Sequence, residues 1–299
     1  MDGQISKIQR YSTRDGPGLR STVFAIGCPL SCLWCSNPEL MGEGEKLLYH
    51  RQLCTGCGAC VALSHGAIRL EKDGCVIDRE ACSNLGECAD ACYYDAYERV
   101  GFTVSAEELA VKLLRDKAFY DQSGGGVTFS GGEPASQAGF FIELAGLLKA
   151  EGVHVALDTS GYLPWEQLAP LVDEVELVLF DLKAHDSELH RRFTGADNTL
   201  IKENIRRAAD IGKDMVIRLV IVPGVNDSVG EIAGRLEFVR SLGEGMRVDI
   251  LKYHRLGAGK YAALGLRDPM GDTPECPDDT AEYASGLARE MGLAAMIGG

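Results

Sequence analysis

The sequence predicts an α/β fold, a partial parallel (β/α)6 barrel that is interrupted by one cysteine-rich insert. Three observations support this prediction: short apolar runs alternate with helical segments, polar motifs follow the ends of those runs, and residues 51–99 lack the alternation. The chain has 299 residues, which is enough for about two domains. We therefore assign residues 1–50 and 100–299 to the barrel and residues 51–99 to the insert.

The six predicted strands are short and rich in β-branched apolar residues, which is typical of buried parallel strands. They cover residues 22–26, 127–129, 153–157, 177–180, 216–222 and 248–251. Helix signals lie between them, because Ser105 with Glu108 and Ser228 with Glu231 form capping boxes. The glycines that mark helix ends are Gly152, Gly212 and Gly243.

The insert is dense in cysteine and glycine, and a segment this short generally needs bound metal to form a core of its own. The chain holds eleven cysteines, of which nine stand in short repeated spacings. Because no secretory signal is recognisable, we expect these cysteines to bind metal rather than to form disulfides.

Charge and hydropathy exclude several classes of partner. The net charge of −14 argues against a nucleic-acid partner, because binding a phosphate backbone needs clustered lysine and arginine. No apolar run approaches the roughly 18 residues that a membrane helix needs, and residues 1–14 are polar. We expect a cytoplasmic monomer that has no membrane partner.

The most informative motif is the run that holds Cys28, Cys32 and Cys35, directly after the first predicted strand. Three thiolates on one tight loop can hold three corners of a [4Fe–4S] cube, and no fourth cysteine stands nearby. One iron would then remain open, which is typical of metal centres that carry out chemistry.

Polar motifs also follow the other predicted strands, at the carboxyl ends where parallel α/β barrels build their active sites. These motifs cover residues 130–134, 158–161, 181–183 and 253–254. Gly131 and Gly132 are compatible with a phosphate loop, but the carboxylate of Glu133 would repel phosphate and attract an ammonium group. A plain tight turn is the remaining alternative for these glycines.

Each of the other motifs keeps a structural alternative. Asp158 and Ser160 fit ribose hydroxyls or the cap of the next helix, and Asp181 with Lys183 fits a plain ion pair. Trp34 would pack beside the open iron or in the core, and His254 alone is usually structural. Arg218 lies inside a strand and needs a partner that the sequence does not identify.

The chain resembles the glycyl radical enzyme activating enzymes of the radical S-adenosylmethionine (SAM) superfamily. The residues that carry the resemblance are Asp15, Gly16, Gly18, Arg20, Phe24, Gly27, Cys28, Cys32, Trp34, Cys35 and Asn37. The resemblance implies that the reduced cluster splits SAM into methionine and a 5′-deoxyadenosyl radical, which takes hydrogen from a backbone glycine of a partner enzyme. It also implies a flavodoxin or ferredoxin as electron donor, and it requires no side-chain acid or base.

The resemblance also assigns roles to individual residues. Cys28, Cys32 and Cys35 would bind the radical SAM cluster, whose open iron takes the amino and carboxylate groups of SAM. Residues that would hold SAM are Trp34, Cys35, Ser36, Gly131, Gly132, Glu133, Asp158, Ser160, Asp181, Leu182, Lys183 and His254. A monovalent cation would lie on Asp158, Thr159 and Asp181. The loop that approaches the partner would contain Asp15, Gly16, Gly18 and Arg20.

The insert resembles a two-cluster ferredoxin domain from which ligands have been lost. Cys54, Cys57, Cys60 and Cys92 form a full set for one auxiliary [4Fe–4S] cluster. The second set keeps only Cys82 and Cys88, because Ser64 and Leu85 stand at the other two ligand positions. We therefore expect one auxiliary cluster, and a second only if Cys75 or Ser64 supplies a ligand; otherwise Cys75 and Cys276 are buried free thiols.

Two other functions are compatible with parts of this pattern. A radical SAM enzyme that acts on a small molecule or peptide would share the cofactor residues but not the loop from Asp15 to Arg20. A ferredoxin fused to a barrel would explain the insert, but an electron carrier has no use for the open iron of the first cysteine loop.

Overall fold

The fold is built around one large sheet, as seen in a computed structural model that describes residues 1–42, 46–82 and 85–298. The strands are β1 (Asp2–Ser12), β2 (Arg20–Ala25), β3 (Leu47–Tyr49), β4 (Ile68–Glu71), β5 (Gly74–Ile77), β6 (Tyr97–Arg99), β7 (Phe102–Ser105), β8 (Gly126–Gly131), β9 (His154–Thr159), β10 (Leu177–Asp181), β11 (Met215–Ile221), β12 (Arg247–Lys252) and β13 (Ala294–Gly298).

The α-helices pack mainly around this sheet. They are α1 (Ala59–Leu63), α2 (Leu85–Asp90), α3 (Ala106–Leu114), α4 (Lys117–Ser123), α5 (Ala138–Ala150), α6 (Trp165–Glu174), α7 (Ser187–Thr194), α8 (Thr199–Asp210), α9 (Val229–Arg240), α10 (Ala258–Ala263) and α11 (Asp278–Glu290). No helix within the described ranges is long and apolar enough to cross a bilayer.

The sheet has nine strands in the order β13-β12-β11-β10-β9-β8-β2-β1-β7. All neighbours from β2 to β13 pair in parallel, whereas β1 runs antiparallel to both β2 and β7. The largest apolar cluster lies between this sheet and helices such as α3, α5 and α6. Because the strands from β2 to β13 run parallel, their carboxyl ends all lie at one edge of the sheet.

All six predicted parallel strands are present, and the sheet also contains three strands that the sequence did not predict, namely β1, β7 and β13. β1 has a mixed pattern in which Gly3, Ile5 and Ser12 are buried and most other positions are at least partly exposed. Apolar clustering is therefore weak along this strand, which explains why the sequence pattern missed it.

The predicted helix caps are present. Ser105 Oγ accepts the Glu108 amide at 3.2 Å, and Ser228 Oγ accepts the Glu231 amide at 3.3 Å. The carboxylate of Glu231 also accepts the backbone amides of residues 185 and 186, so this side chain joins α9 to the loop before α7.

The segment between β2 and β7 has short elements in the order β3-α1-β4-β5-α2-β6, although the sequence indicated no regular elements there. β3 pairs with β6 and β4 pairs with β5, each antiparallel. A small apolar cluster of its own includes Cys60, Ile68 and Cys88. Arg79 links this segment to the barrel, because its guanidinium donates to the carbonyls of Leu47 and Ala263.

Candidate functional site

A cavity of about 380 Å³ opens at the carboxyl edge of the parallel strands. Its volume lies within the roughly 300–1,000 Å³ of typical small-molecule sites. Predicted site residues that line it are Asp15, Cys28, Cys32, Trp34, Cys35, Ser36, Gly131, Gly132, Asp158, Thr159, Ser160, Asp181, Lys183 and His254. The strand order thus brings together motifs that lie far apart in the sequence.

The cysteine loop after β2 presents Cys28, Cys32 and Cys35 to this cavity, and none of the three is in a disulfide. Burial raises the pKa of Cys28 to about 12 and the pKa values of Cys32 and Cys35 to about 11. Metal coordination would offset this penalty because thiolates are the ligand form. The three thiols line one cavity, and three thiolates can hold three irons of a cluster whose fourth iron stays open.

Gly131 and Gly132 allow the end of β8 to approach the cysteine loop. A Cβ on Gly132 would lie 2.2 Å from the carbonyl oxygen of Gly27, and Gly131 has a φ of +101°. The Glu133 amide donates to the same Gly27 carbonyl at 2.7 Å. The two glycines are therefore needed for close backbone packing, whether or not a ligand is bound.

Glu133 does not line the cavity but is fully buried beneath it. Its carboxylate accepts from Thr159 Oγ1 at 2.7 Å, from Ser160 Oγ at 2.6 Å and from the Ser160 amide at 2.9 Å. Burial raises the pKa of Glu133, and these hydrogen bonds oppose the rise. The carboxylate thus fixes the turn after β9, and Ser160 is oriented by Glu133 rather than acting as a helix cap.

Arg218 joins two carboxylates at the inner face of the sheet. Its Nη2 lies 3.0 Å from Asp158 Oδ1, and its Nε lies 3.1 Å from Asp181 Oδ1. The second oxygens are also bound, since Ser130 Oγ donates to Asp158 at 2.6 Å and Lys183 Nζ lies 2.7 Å from Asp181. The structure therefore identifies the partners of Arg218 that the sequence left open.

The two carboxyl groups in this network differ in their pKa values. Burial raises the pKa of Asp158 to about 6, with Arg218 opposing the rise. Burial would also raise the pKa of Asp181, but Lys183 and Arg218 together lower it to about 2. Burial acts to lower the pKa of Lys183, and the charge of Asp181 outweighs it and raises that pKa. The raised pKa values of Lys183 and Arg218 keep both side chains positively charged at the cavity.

The remaining predicted SAM residues fall into two groups. Trp34 and His254 line the cavity, and the Trp34 ring lies 6.2 Å from that of Phe193. Leu182 is fully buried and does not line it; its amide donates to the Arg218 carbonyl at 2.9 Å. Leu182 therefore contributes no surface to this cavity.

Arg20, predicted to lie in a partner-approach loop, is fully buried. Its guanidinium donates to the carbonyls of Pro17 at 3.1 Å and Val127 at 2.6 Å, and to Thr128 Oγ1 at 2.6 Å. Arg20 therefore holds the loop against β8 from the inside.

Of the other residues in this loop, Gly18 allows close packing, whereas Asp15 and Gly16 line cavities. A Cβ on Gly18 would lie 2.4 Å from the Gly125 nitrogen, so Gly18 allows close packing. Asp15 accepts from Thr22 Oγ1 at 2.6 Å and lines the cavity described above. Gly16 lines a second cavity of about 680 Å³ between this loop and strands β10 to β13. Arg14, which the sequence did not single out, lines both cavities.

A separate pocket in the segment between β2 and β7 is lined by five cysteines: Cys54, Cys57, Cys60, Cys75 and Cys92. Four of these are the predicted auxiliary set, and all are free of disulfides. Cys88 lies outside this lining; its Sγ is 3.6 Å from the Cys60 carbonyl oxygen. The structure thus brings Cys75 to the complete set and not to the incomplete one.

Comparison with known proteins agrees with this geometry. Residues 85–236 match the Radical SAM superfamily. The chain is 39% identical over 278 residues to the isethionate sulfite-lyase activating enzyme of Nitratidesulfovibrio vulgaris, covering 90% of each protein. It is 37% identical over 265 residues to the trans-4-hydroxy-L-proline dehydratase activating enzyme of Clostridioides difficile, covering 87% of each. The chain belongs to the glycyl radical enzyme activating enzymes of the radical SAM superfamily.

The fold of this chain is shared more widely. SuiB of Streptococcus suis, in its complex with the precursor peptide SuiA, superposes with a TM-score of 0.57 at 12% identity. The match covers 92% of this chain and 48% of that one. At this level of identity the likeness establishes only a shared fold.

The sequence missed several residues that line the radical SAM cavity, among them Arg14, Val220, Leu251 and Lys252. Val220 lies near the carboxyl end of β11, and Leu251 with Lys252 closes β12. The sequence could have indicated Val220, Leu251 and Lys252, because they lie at the carboxyl ends of predicted strands, as the predicted polar motifs do.

Proposed function

We propose that this protein activates a partner glycyl radical enzyme. The observation that carries the proposal is the set of three free cysteines around one open cavity, in a chain of the activating-enzyme family. The relatives serve different partners, since one activates isethionate sulfite-lyase and another trans-4-hydroxy-L-proline dehydratase. The partner of this chain would likewise be a glycyl radical enzyme.

Cys28, Cys32 and Cys35 would hold a [4Fe–4S] cluster, and SAM would fill the rest of the cavity. When bound, the reduced cluster supplies one electron to the sulfonium, so that SAM gives methionine and a 5′-deoxyadenosyl radical that takes a hydrogen atom from the partner's glycine. The protein contributes orientation and exclusion of water, and no side-chain acid or base is needed.

We assign the ends of SAM to residues by charge. Lys183 and Arg218 place positive charge beside the cavity, which suits the carboxylate of the methionine part. Ser36, Trp34 and His254 line the same space and would contact the adenosine part. Glu133 would act indirectly, by orienting Ser160 from below. Gly131 and Gly132 would present backbone groups to the amino end.

A monovalent cation on Asp158, Thr159 and Asp181 would compete with contacts that are already made. Arg218 lies between the two carboxylates, Ser130 and Lys183 bind their other oxygens, and Thr159 Oγ1 donates to Glu133. We propose that the Arg218 guanidinium supplies the positive charge at this position.

The partner's glycine segment would enter through the second cavity. That cavity adjoins the first, because both are lined by Arg14 and Leu251. It is lined largely by apolar side chains of β10 to β13, such as Leu177, Leu179 and Val216. An extended chain segment lying there would reach the cofactor cavity from the side of the loop that holds Gly16.

We further propose that residues 51–99 form a ferredoxin-like module with one auxiliary [4Fe–4S] cluster on Cys54, Cys57, Cys60 and Cys92. Residues 51–99 contain α1-β4-β5-α2-β6, and with β3 (Leu47–Tyr49) directly before them the order is a twofold repeat of strand, helix and strand, which supports this proposal. A fully loaded chain would then carry about eight irons. A flavodoxin or ferredoxin would deliver electrons, and the protein would act as a cytoplasmic monomer.

The decisive experiment mixes reconstituted, reduced protein with SAM and a candidate glycyl radical enzyme in the absence of oxygen. We expect the doublet of a glycyl radical by electron paramagnetic resonance, together with 5′-deoxyadenosine. The Cys32→Ala variant should give neither, whereas Cys276→Ala, which removes a buried thiol outside the cavity, should give both. SAM cleavage without a protein radical on any candidate partner would favour a small-molecule or peptide substrate instead.

A further inference from the structure

The pocket of the insert contains one cysteine more than a [4Fe–4S] cluster needs. Cys75 Sγ lies 3.7 Å from Cys60 Sγ and 4.0 Å from Cys54 Sγ, and it lines the same pocket as the four proposed ligands. The side chain is 8% exposed, so its sulfur faces this pocket and not solvent. Cys75 is therefore in direct contact with two ligand sulfurs.

The position of Cys75 is fixed by its backbone. It lies on β5, where it is paired with Leu70 in the hairpin of β4 and β5. Its amide also donates to the hydroxyl of Tyr49 at 2.8 Å. The thiol is thus held beside the ligand sulfurs by a regular element and is not a passing contact of a mobile loop.

The spacing of the cysteines indicates that this thiol is not itself a ligand. The four other cysteines can complete the coordination of one cube, in the spacing C-x2-C-x2-C plus a distant cysteine, and Cys75 stands outside that spacing. A fifth thiol that keeps its proton can donate a weak hydrogen bond to sulfur.

We propose that Cys75 is a positioning residue that donates its S–H to the ligand sulfurs of Cys54 and Cys60 and thereby raises the reduction potential of the auxiliary cluster. Hydrogen bonds to the sulfurs are one of the factors that set the potentials of iron–sulfur clusters, because they stabilise the more negative, reduced state. This inference rests on the proposed auxiliary cluster on Cys54, Cys57, Cys60 and Cys92.

The test uses the full chain with Cys28, Cys32 and Cys35 all changed to alanine, so that only the auxiliary cluster contributes. In that background Cys75→Ala should keep about four irons per chain, and its reduction equilibrium constant should fall about tenfold, which is about 59 mV for a one-electron couple. Cys75→Ser retains a hydroxyl donor and should restore part of that shift. Cys276→Ala, a buried thiol elsewhere, should shift nothing.

Several results would overturn the proposal. Loss of iron in both Cys75 variants with retention in Cys92→Ser would make Cys75 the ligand. An unchanged potential in Cys75→Ala would remove its role as a donor. Absence of iron from the background protein itself would remove the auxiliary cluster and this inference with it. Glycyl radical formation by the chain that keeps Cys28, Cys32 and Cys35 would still stand in that case.

Discussion

The guanidinium of Arg218 on β11 lies 3.0 Å from the carboxylate of Asp158 on β9, across the intervening strand β10, and both residues line the cofactor cavity. The same side chain reaches Asp181 at 3.1 Å. Arg218 therefore bridges two buried carboxylates that would otherwise repel each other, and Lys183, 2.7 Å from Asp181, supplies the second positive charge.

Replacing Arg218 should create a need for a monovalent cation. In Arg218→Gln the two carboxylates keep only Lys183 as a cationic neighbour, so we expect SAM affinity to fall at least tenfold in choline buffer, about 1.4 kcal/mol, with partial recovery in potassium. Anaerobic calorimetry of SAM binding measures this. Arg207→Gln, an exposed arginine paired with Glu203 on α8, is the matched control. Potassium-dependent binding by the unaltered protein would contradict the assignment.

The opposite pKa shifts of the two aspartates predict opposite effects on stability. Asp181, lowered from 3.8 to about 2, stabilises the fold at pH values above its ordinary pKa, and that stability is lost as the pH falls through about 2. Asp181→Asn should therefore lower the free energy of unfolding at pH 7 by about 2 kcal/mol. Asp158, raised from 3.8 to about 6, contributes stability below its ordinary pKa that is lost as the pH rises through 6.

It follows that Asp158→Asn should cost much less than Asp181→Asn at pH 7, and should flatten the pH dependence of stability between about pH 4 and pH 6. Urea unfolding of the two variants across that range measures both effects. Equal losses of stability in the two variants at pH 7 would show that the two carboxyl groups are not distinguished in this way.

Gly132 sets the distance between β8 and the cysteine loop. Gly132→Ala would place a methyl group 2.2 Å from the Gly27 carbonyl oxygen, so the loop that holds Cys28 must shift. We expect a loss of about 1–3 kcal/mol in stability and reduced iron retention. Gly146→Ala on α5 meets no atom within 4 Å and should instead stabilise by about 0.5–1 kcal/mol. Thermal unfolding and iron analysis distinguish the two, and full iron retention in Gly132→Ala would show that the loop tolerates the shift.

The parts of the fold that follow local rules were predictable from the sequence. The parallel strands were recognisable as runs of β-branched residues. Ser105 and Ser228 were recognisable as helix N-caps because a cap bonds to an amide only three residues away. The cysteine loop was recognisable because its three cysteines lie within one short segment, residues 28–35. β1 was missed because its apolar positions are few, and β13 was missed because its five residues include only one that is β-branched, Ile297.

Contacts that form only after folding were not predictable. Arg218, Asp158 and Asp181 come from three adjacent strands, and only the sheet order makes them neighbours. Glu133 had the sequence position of a ligand, yet its carboxylate serves Thr159 and Ser160. Cys75 stood alone in the spacing pattern, and the β4–β5 hairpin is what places it against the ligand set.

The contact between Arg14 and the last strand has a consequence for access. Arg14 Nη1 lies 3.5 Å from the Ile297 carbonyl oxygen, so the loop after β1 touches β13 beside the larger cavity. A bond this long and exposed costs at most about 1 kcal/mol to break. A polypeptide that enters on this side would therefore spend little of its binding energy on separating the loop after β1 from β13.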